Sequence, residues 1–100
     1  QSNLKAEVRA RGIRDDRLVF CAPEPRKDHL RRLFLADLVL DTPLCNHHAS
    51  ALDVFWAGVP MLLCPGDRMA SRVTASMAKS LDLDFRLVVD TMQEYEDHAV

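Results

Sequence analysis

The chain has 100 residues, of which 48% are hydrophobic and 28% charged, and its formal net charge is −2. A chain of this length holds one small domain, and this composition excludes both a disordered tail and a set of membrane-spanning segments. Its near-neutral balance gives no bulk attraction to nucleic acid or anionic lipid, so neither is expected as a partner and any anion site must come from a local cluster.

In chain order, Leu4 to Ile13 puts Leu4 and Val8 one turn apart and ends at Gly12, which predicts a helix with a glycine C-cap. "RLVFCA", residues 17–22, is a short apolar run suited to a strand buried on both faces, stopped by Pro23 and Pro25. "KDHLRRLFLAD", residues 27–37, spaces Leu30, Leu33, Phe34 and Asp37 as a helix does, and "LVLD", residues 38–41, predicts a second strand. "SALDVFWAGVP", residues 50–60, predicts a helix closed by Gly58 and Pro60. Its Leu52, Val54, Phe55 and Trp56 make it apolar nearly all round, so deep cover is expected.

"MLLC", residues 61–64, predicts a third strand, ended by the Pro65–Gly66 turn. From Arg68 to Leu81, the four-residue steps of Met69, Val73, Met77 and Leu81 predict one buried helical stripe. "FRLVV", residues 85–89, predicts a fourth strand and "MQEYEDHAV" a last helix. This alternation, with short connections and continuously apolar strands, predicts an α/β fold, a parallel sheet with helices on both faces. The pattern begins and ends on a helix, as a piece of a larger doubly wound domain would, and residues 1–100 form a single unit of it.

Cys21, Cys45 and Cys64 are odd in number and widely spaced, without a C-x-x-C pair, so free thiols in a reducing compartment are expected. No run of about 18 apolar residues is present to span a bilayer, and Gln1 to Arg11 does not have the form of a signal sequence. The expected location is cytoplasmic, with the nucleus also open.

In a parallel α/β sheet the ligand lies beyond the carboxyl ends of the strands, so the loops after residues 22, 41, 64 and 89 carry the chemistry. "LDTPLCNHHAS", residues 40–50, permits three readings. Cys45, His47 and His48 are metal-ligand types, but no fourth ligand is evident; a Cys–His pair is available, but nothing nearby activates the thiol. The third reading is an anion site at the start of the following helix, where unpaired amides and the helix dipole favour phosphate. There Ser50 would cap or donate, His48 donate to a phosphate oxygen and Asp53 accept from a sugar hydroxyl. Ser50 and Asp53 as a plain N-cap and a dipole-compensating acid is the alternative.

"PEPRKDHLRR" clusters Arg26, Lys27, His29, Arg31 and Arg32, with His29 and Arg32 three apart on one face. A ring to stack on a base and a guanidinium to bond it would make a nucleotide pocket; a solvated basic face is the alternative. Arg68, Ser71 and Arg72 follow the Pro65–Gly66 turn and admit both readings. "DLD", residues 82–84, superficially has the form of an acidic metal-holding triplet.

The run "LDTPLCNHHASALDVFWAGVPMLLCPGDRMASRVTAS", with "HLRRLFLAD" before it and "QEYEDHAV" after, resembles the carboxy-terminal catalytic lobe of the protein O-GlcNAc transferase family. The resemblance covers residues 17 to 100. It implies the donor-binding half of a Rossmann-like lobe in a two-lobed GT-B glycosyltransferase, inverting and metal-independent, with no cofactor. Such an enzyme moves N-acetylglucosamine from UDP-GlcNAc to serine or threonine hydroxyls of proteins. Its other lobe and its helical repeats would be further partners, and these residues alone would be inactive. A related transferase using another nucleotide sugar, such as GDP-fucose, and a non-catalytic nucleotide-binding module are the alternatives.

Residue by residue, the resemblance implies that His29 stacks on uracil, Arg32 bonds the base edge and the backbone at Glu24 also bonds the base. Arg26 stands where the family has a lysine near the ribose. Asp53 would hold the ribose hydroxyls, and His48 with the amides of Ala49 and Ser50 the diphosphate. The family's glycine, histidine, two threonines and glycine here read His47, His48, Ala49, Ser50 and Ala51. At a backbone angle φ above zero, His47 in the glycine's place would be strained.

Overall fold

The structure is a computed structural model, and it describes residues 1–83 and 85–100. Its helices are α1 (Ser2–Ala10), α2 (Arg26–Leu33), α3 (Ala49–Ala57), α4 (Val73–Ser80) and α5 (Met92–Ala99), with strands β1 (Val39–Leu40) and β2 (Met61–Leu62). Short 3-10 turns cover Asp15–Arg17, Met69–Ser71 and Phe85–Leu87.

Beyond Ala10, Gly12 at φ 73° lets its own N–H reach Arg9 O and that of Ile13 reach Val8 O. These two bonds satisfy carbonyls that a helix end leaves open, and only glycine adopts that angle cheaply. Gly58, at φ 70°, closes α3 in the same way, sending its N–H to Phe55 O and that of Val59 to Val54 O. The chain then turns at Pro60 directly into β2.

β1 and β2 pair in parallel, Val39 with Met61 and Leu40 with Leu62. A third extended segment joins β2 through Leu63, whose N–H donates to Leu87 O at 2.7 Å and whose carbonyl accepts from Val89 at 2.9 Å. Consecutive segments are therefore spatial neighbours, linked by α3 and α4 as parallel crossovers. Because side chains alternate across a strand, Met61 and Leu63 meet Ala51, Val54, Val59 and Ala78 on one face. Leu62 turns to the other face, with Val89 and Tyr95. The sheet thus has α3 and α4 on one side and α5 on the other, the expected doubly covered α/β arrangement.

Four details differ from expectation. Residues 17–22 form no strand: Arg17 ends a 3-10 turn, Val19 is exposed, and no backbone bond leaves the N–H groups of 19–22 among the described residues. A strand exists only where a neighbour receives its ladder, and hydropathy does not reveal the neighbour. Residues 85–89 are strand-like only in their second half. α3 is not covered all round, since Val54 is buried while Leu52 and Trp56 are 51% and 83% exposed. In and before α4 the buried residues are Ser71, Thr74 and Ala78, whereas Met69 is 82% exposed. Small residues let this helix approach the sheet closely, so of the expected stripe Met77 packs against the core only partly and Met69 and Leu81 are exposed.

Candidate functional site

β1 ends at Leu40, and the chain from Asp41 to His48 crosses the carboxyl edge of the sheet before entering α3. Asp41 is 3% exposed, and its Oδ1 accepts from Thr42 N at 2.9 Å, His47 N at 3.0 Å and His47 Nδ1 at 2.7 Å. Its backbone carbonyl accepts the Tyr95 hydroxyl at 2.6 Å, tying the loop to α5. Burial raises the Tyr95 phenol above its ordinary value, with the charge of Asp41 and Cys64 adding to it.

Asn46 is buried and works on both sides of the loop. Its amide nitrogen donates to Thr42 O at 3.0 Å, its Oδ1 accepts from Thr74 N at 3.3 Å, and its backbone N–H reaches Ala70 O at 2.8 Å. The Thr42 hydroxyl closes the turn onto Cys45 O. This network fixes the entrance to α3. Sequence reasoning missed Asp41, Asn46 and Tyr95 as organisers of the loop; the signal open to it was a run of polar residues immediately after an apolar strand.

At the entrance itself, His48 has φ 46° and ψ −120°, and its Nε2 donates to Ala70 O at 3.1 Å. The positive φ falls on His48 and not on His47, so the strain expected from losing the family glycine lies one residue later. Such an angle costs on the order of 1–3 kcal/mol and persists only where the surroundings enforce it. Ser50 directs both its hydroxyl, at 2.6 Å, and its N–H, at 3.1 Å, to His47 O. The N–H groups of His48 and Ala49 bond no other backbone or side chain among the described residues, so these two remain for an anion.

The other half of the edge comes from α2. Arg26 at its first turn bonds Asp53 Oδ1 at 2.7 Å, which joins α2 to α3. Asp53 is only 18% exposed and sits one turn into α3, not in its first turn. Arg32 lies 3.3 Å from Glu24 and donates through Nη2 to His29 Nδ1 at 3.1 Å. That bond leaves the His29 proton on Nε2 in the neutral ring. The residues expected to form the donor site thus fall into three clusters: Glu24–His29–Arg32, Arg26–Asp53 and His48–Ala49–Ser50.

Two cavities lie elsewhere. One, of about 870 Å³, is lined by α4 residues including Val73 and Met77, with Pro65 and Val88; the other, of about 270 Å³, lies around Phe55, Gly58 and Leu87. None of the eight candidate residues lines either one. Cys45 points its thiol toward Asn46 O, and no group of three or more His, Cys, Asp or Glu able to hold a metal occurs among the described residues. Of the 82–84 acidic triplet, Asp84 lies outside the described residues.

Residues 1–100 match the family model described as glycosyl transferase family 41. The chain is 43% identical over all 100 residues to the probable UDP-N-acetylglucosamine–peptide N-acetylglucosaminyltransferase SEC of Arabidopsis thaliana, covering 10% of that protein. It is 43% identical over 90% of its length to the UDP-N-acetylglucosamine–peptide N-acetylglucosaminyltransferase of Caenorhabditis elegans, covering 8% of it. Among solved structures, a mutant of the Thermobaculum terrenum O-GlcNAc transferase superposes with a TM-score of 0.88 at 34% identity, over 96% of this chain and 18% of that one. The chain therefore spans about a tenth of the length of the curated relatives it matches.

Proposed function

Because the chain belongs to glycosyl transferase family 41, we propose that it is the donor-binding part of an enzyme moving N-acetylglucosamine from UDP-GlcNAc to serine or threonine hydroxyls of proteins. The observation that carries this reading is the entrance of α3. Its amides at His48 and Ala49 bond nothing among the described residues where β1 hands over to the helix, and Arg26 bonds Asp53 one turn into α3. In the proposed complex the uracil stacks on His29 with its edge on Arg32 and the Glu24 backbone. The ribose hydroxyls bond Asp53, oriented by Arg26, and the diphosphate meets His48, Ala49 and the Ser50 end of the loop.

In the transfer, the acceptor oxygen attacks the anomeric carbon and the bond to the diphosphate oxygen breaks. Negative charge then grows on the leaving phosphate, where preorganised amides stabilise it most, and the His48 ring joins them by exchanging its Nε2–H bond to Ala70 O for one to the phosphate. No base for the acceptor's proton is assigned within these 100 residues. It belongs to the remaining lobe, which with the peptide acceptor completes the proposed assembly. The free, partly or fully exposed thiols of Cys21, Cys45 and Cys64 support a reducing compartment such as the cytoplasm. No helix among the described residues is long and apolar enough to cross a membrane.

Transfer of labelled N-acetylglucosamine to a peptide by the full-length protein tests the proposal. Asp53→Ala and His48→Ala should each lower kcat/KM at least about tenfold, equivalent to about 1.4 kcal/mol, with melting curves close to wild type. Full activity in both variants overturns the residue assignment, and inhibition by GDP but not UDP points to a different nucleotide sugar.

A further inference from the structure

The loop after β2, from Pro65 to Arg72, carries no candidate donor residue, yet it is bonded to the loop that does. Gly66 donates its N–H to Ser71 O at 3.2 Å and its carbonyl accepts from Arg72 Nη1 at 3.2 Å, which draws the two ends of the loop together. Ser71 is buried, and its hydroxyl donates to Arg68 O at 2.8 Å. A Cβ at position 66 would lie 2.8 Å from Ser71 Oγ, closer than such atoms approach, and 3.4 Å from Ser71 Cβ. The glycines at positive φ are Gly12 and Gly58, so position 66 calls for glycine by its closeness to Ser71 and not by its backbone angle. What this closeness fixes is the carbonyl of Ala70, next to Ser71. It accepts the Asn46 N–H at 2.8 Å and His48 Nε2 at 3.1 Å, so both its lone pairs are spent on the 41–48 loop. Asn46 Oδ1 adds a second tie by accepting Thr74 N at 3.3 Å. His48 keeps φ 46°, an angle that a residue other than glycine holds only when its surroundings enforce it, and these bonds are the surroundings.

We propose that the Pro65–Gly66 turn positions the diphosphate site: glycine at 66 lets Ser71 close in, the Ala70 carbonyl is thereby set, and it holds Asn46 and His48 so that the amides at the start of α3 stay open to an anion. This rests on the donor-site reading above and deepens it with a positioning residue, Gly66, which acts through Ala70 and Asn46 and not by contact with the nucleotide. When the His48 ring leaves Ala70 O for the phosphate, the Asn46 N–H stays on that oxygen, so the backbone keeps its angle while the ring moves.

Calorimetric titration of the full-length protein with UDP and with uridine tests this, since uridine reads the base and ribose contacts alone. Gly66→Ala should weaken UDP about tenfold, the loss of one hydrogen bond to a charged group, and leave uridine unchanged. Ser71→Ala takes away the oxygen that an alanine at 66 would strike and leaves Cβ at 3.4 Å, an ordinary contact. The double variant Gly66→Ala, Ser71→Ala should therefore regain most of the wild-type preference for UDP over uridine. Asn46→Ala, which removes the tie to Thr74, should lower the same preference and keeps the test open should Gly66→Ala fail to fold. A glycine that serves only the fold would weaken both ligands together, with no rescue by Ser71→Ala. That outcome, or an unchanged preference in Gly66→Ala or Asn46→Ala, overturns the positioning role while leaving the donor site standing. Wild type that binds UDP no better than uridine overturns the donor-site reading itself.

Discussion

Tyr95 sits 54 positions from Asp41 in sequence, yet its hydroxyl is what secures the carbonyl at the end of β1. Because that carbonyl is buried, Tyr95→Phe removes one bond and leaves an acceptor unsatisfied, a loss of about 1–3 kcal/mol in stability. Burial, then the charge of Asp41, raises the phenol above its ordinary 10.0. A raised folded value means that the neutral phenol's contribution is complete below pH 10.0 and is lost as pH rises through the folded value. Chemical denaturation at neutral and at strongly alkaline pH should therefore show wild type and Tyr95→Phe well separated at the first and converging at the second. A gap that is constant with pH removes the phenol from the account. From the sequence, "QEYED" marked a helix and a family, but nothing in its spacing showed which carbonyl the ring would find. Asp41 was equally opaque: it read as the last residue of a strand, whereas it gathers three donors. The residues proposed for the donor site were singled out because their types suit a nucleotide. Their partners, Asp53 for Arg26 and Glu24 for Arg32, required the fold.

At the level of elements, the helices were legible because periodicity, caps and breakers agree locally. α5 shows the agreement in its smallest form. Thr91 Oγ1 accepts from Glu94 N at 3.1 Å, and Glu94 Oε2 accepts from Asp90 N at 3.0 Å and Thr91 N at 3.2 Å, a reciprocal capping box. The Asp90 N–H, and after it that of Thr91, hold the Glu94 carboxyl below its ordinary 4.5. With the folded value depressed, this contribution is present above pH 4.5 and disappears as pH falls through the folded value. Thr91→Ala should cost about 1 kcal/mol at neutral pH, and Glu94→Gln should flatten the acid limb of the melting-temperature profile. An acid limb identical to wild type in Glu94→Gln shows that the pairing is idle. Strands were less legible. Residues 17–22 and 38–41 have the same apolar character, but only the second group has Pro60 and Leu62 carbonyls to receive Val39 and Asp41. Periodicity caught only part of the buried face of α4: Met77 packs against the core, but Met69 and Leu81 are exposed and the fully buried positions are the small Thr74 and Ala78.

For the whole molecule, the decisive fact is where burial concentrates. β2 lies between β1 and the 87–89 segment and has helices over both faces, so Leu62 is 0% exposed although it belongs to a strand of two residues. Leu52, in the middle of an equally apolar helix, is 51% exposed, and Trp56 one turn further on is 83% exposed. Identical truncations at the two leucines therefore separate hydropathy from position. Leu62→Ala opens a cavity in a layer that cannot close around it, because both neighbours are fixed by backbone bonds, and should cost about 2–5 kcal/mol. Leu52→Ala removes a half-solvated side chain with no cavity left behind and should cost less than about 1 kcal/mol. Denaturant titration of the full-length protein, monitored for the transition that contains this region, measures both. Equal losses would mean that the Leu52 face is covered in the full-length protein as completely as the sheet is here, whereas the wide separation expected confines the stabilising core to the residues packed around β2.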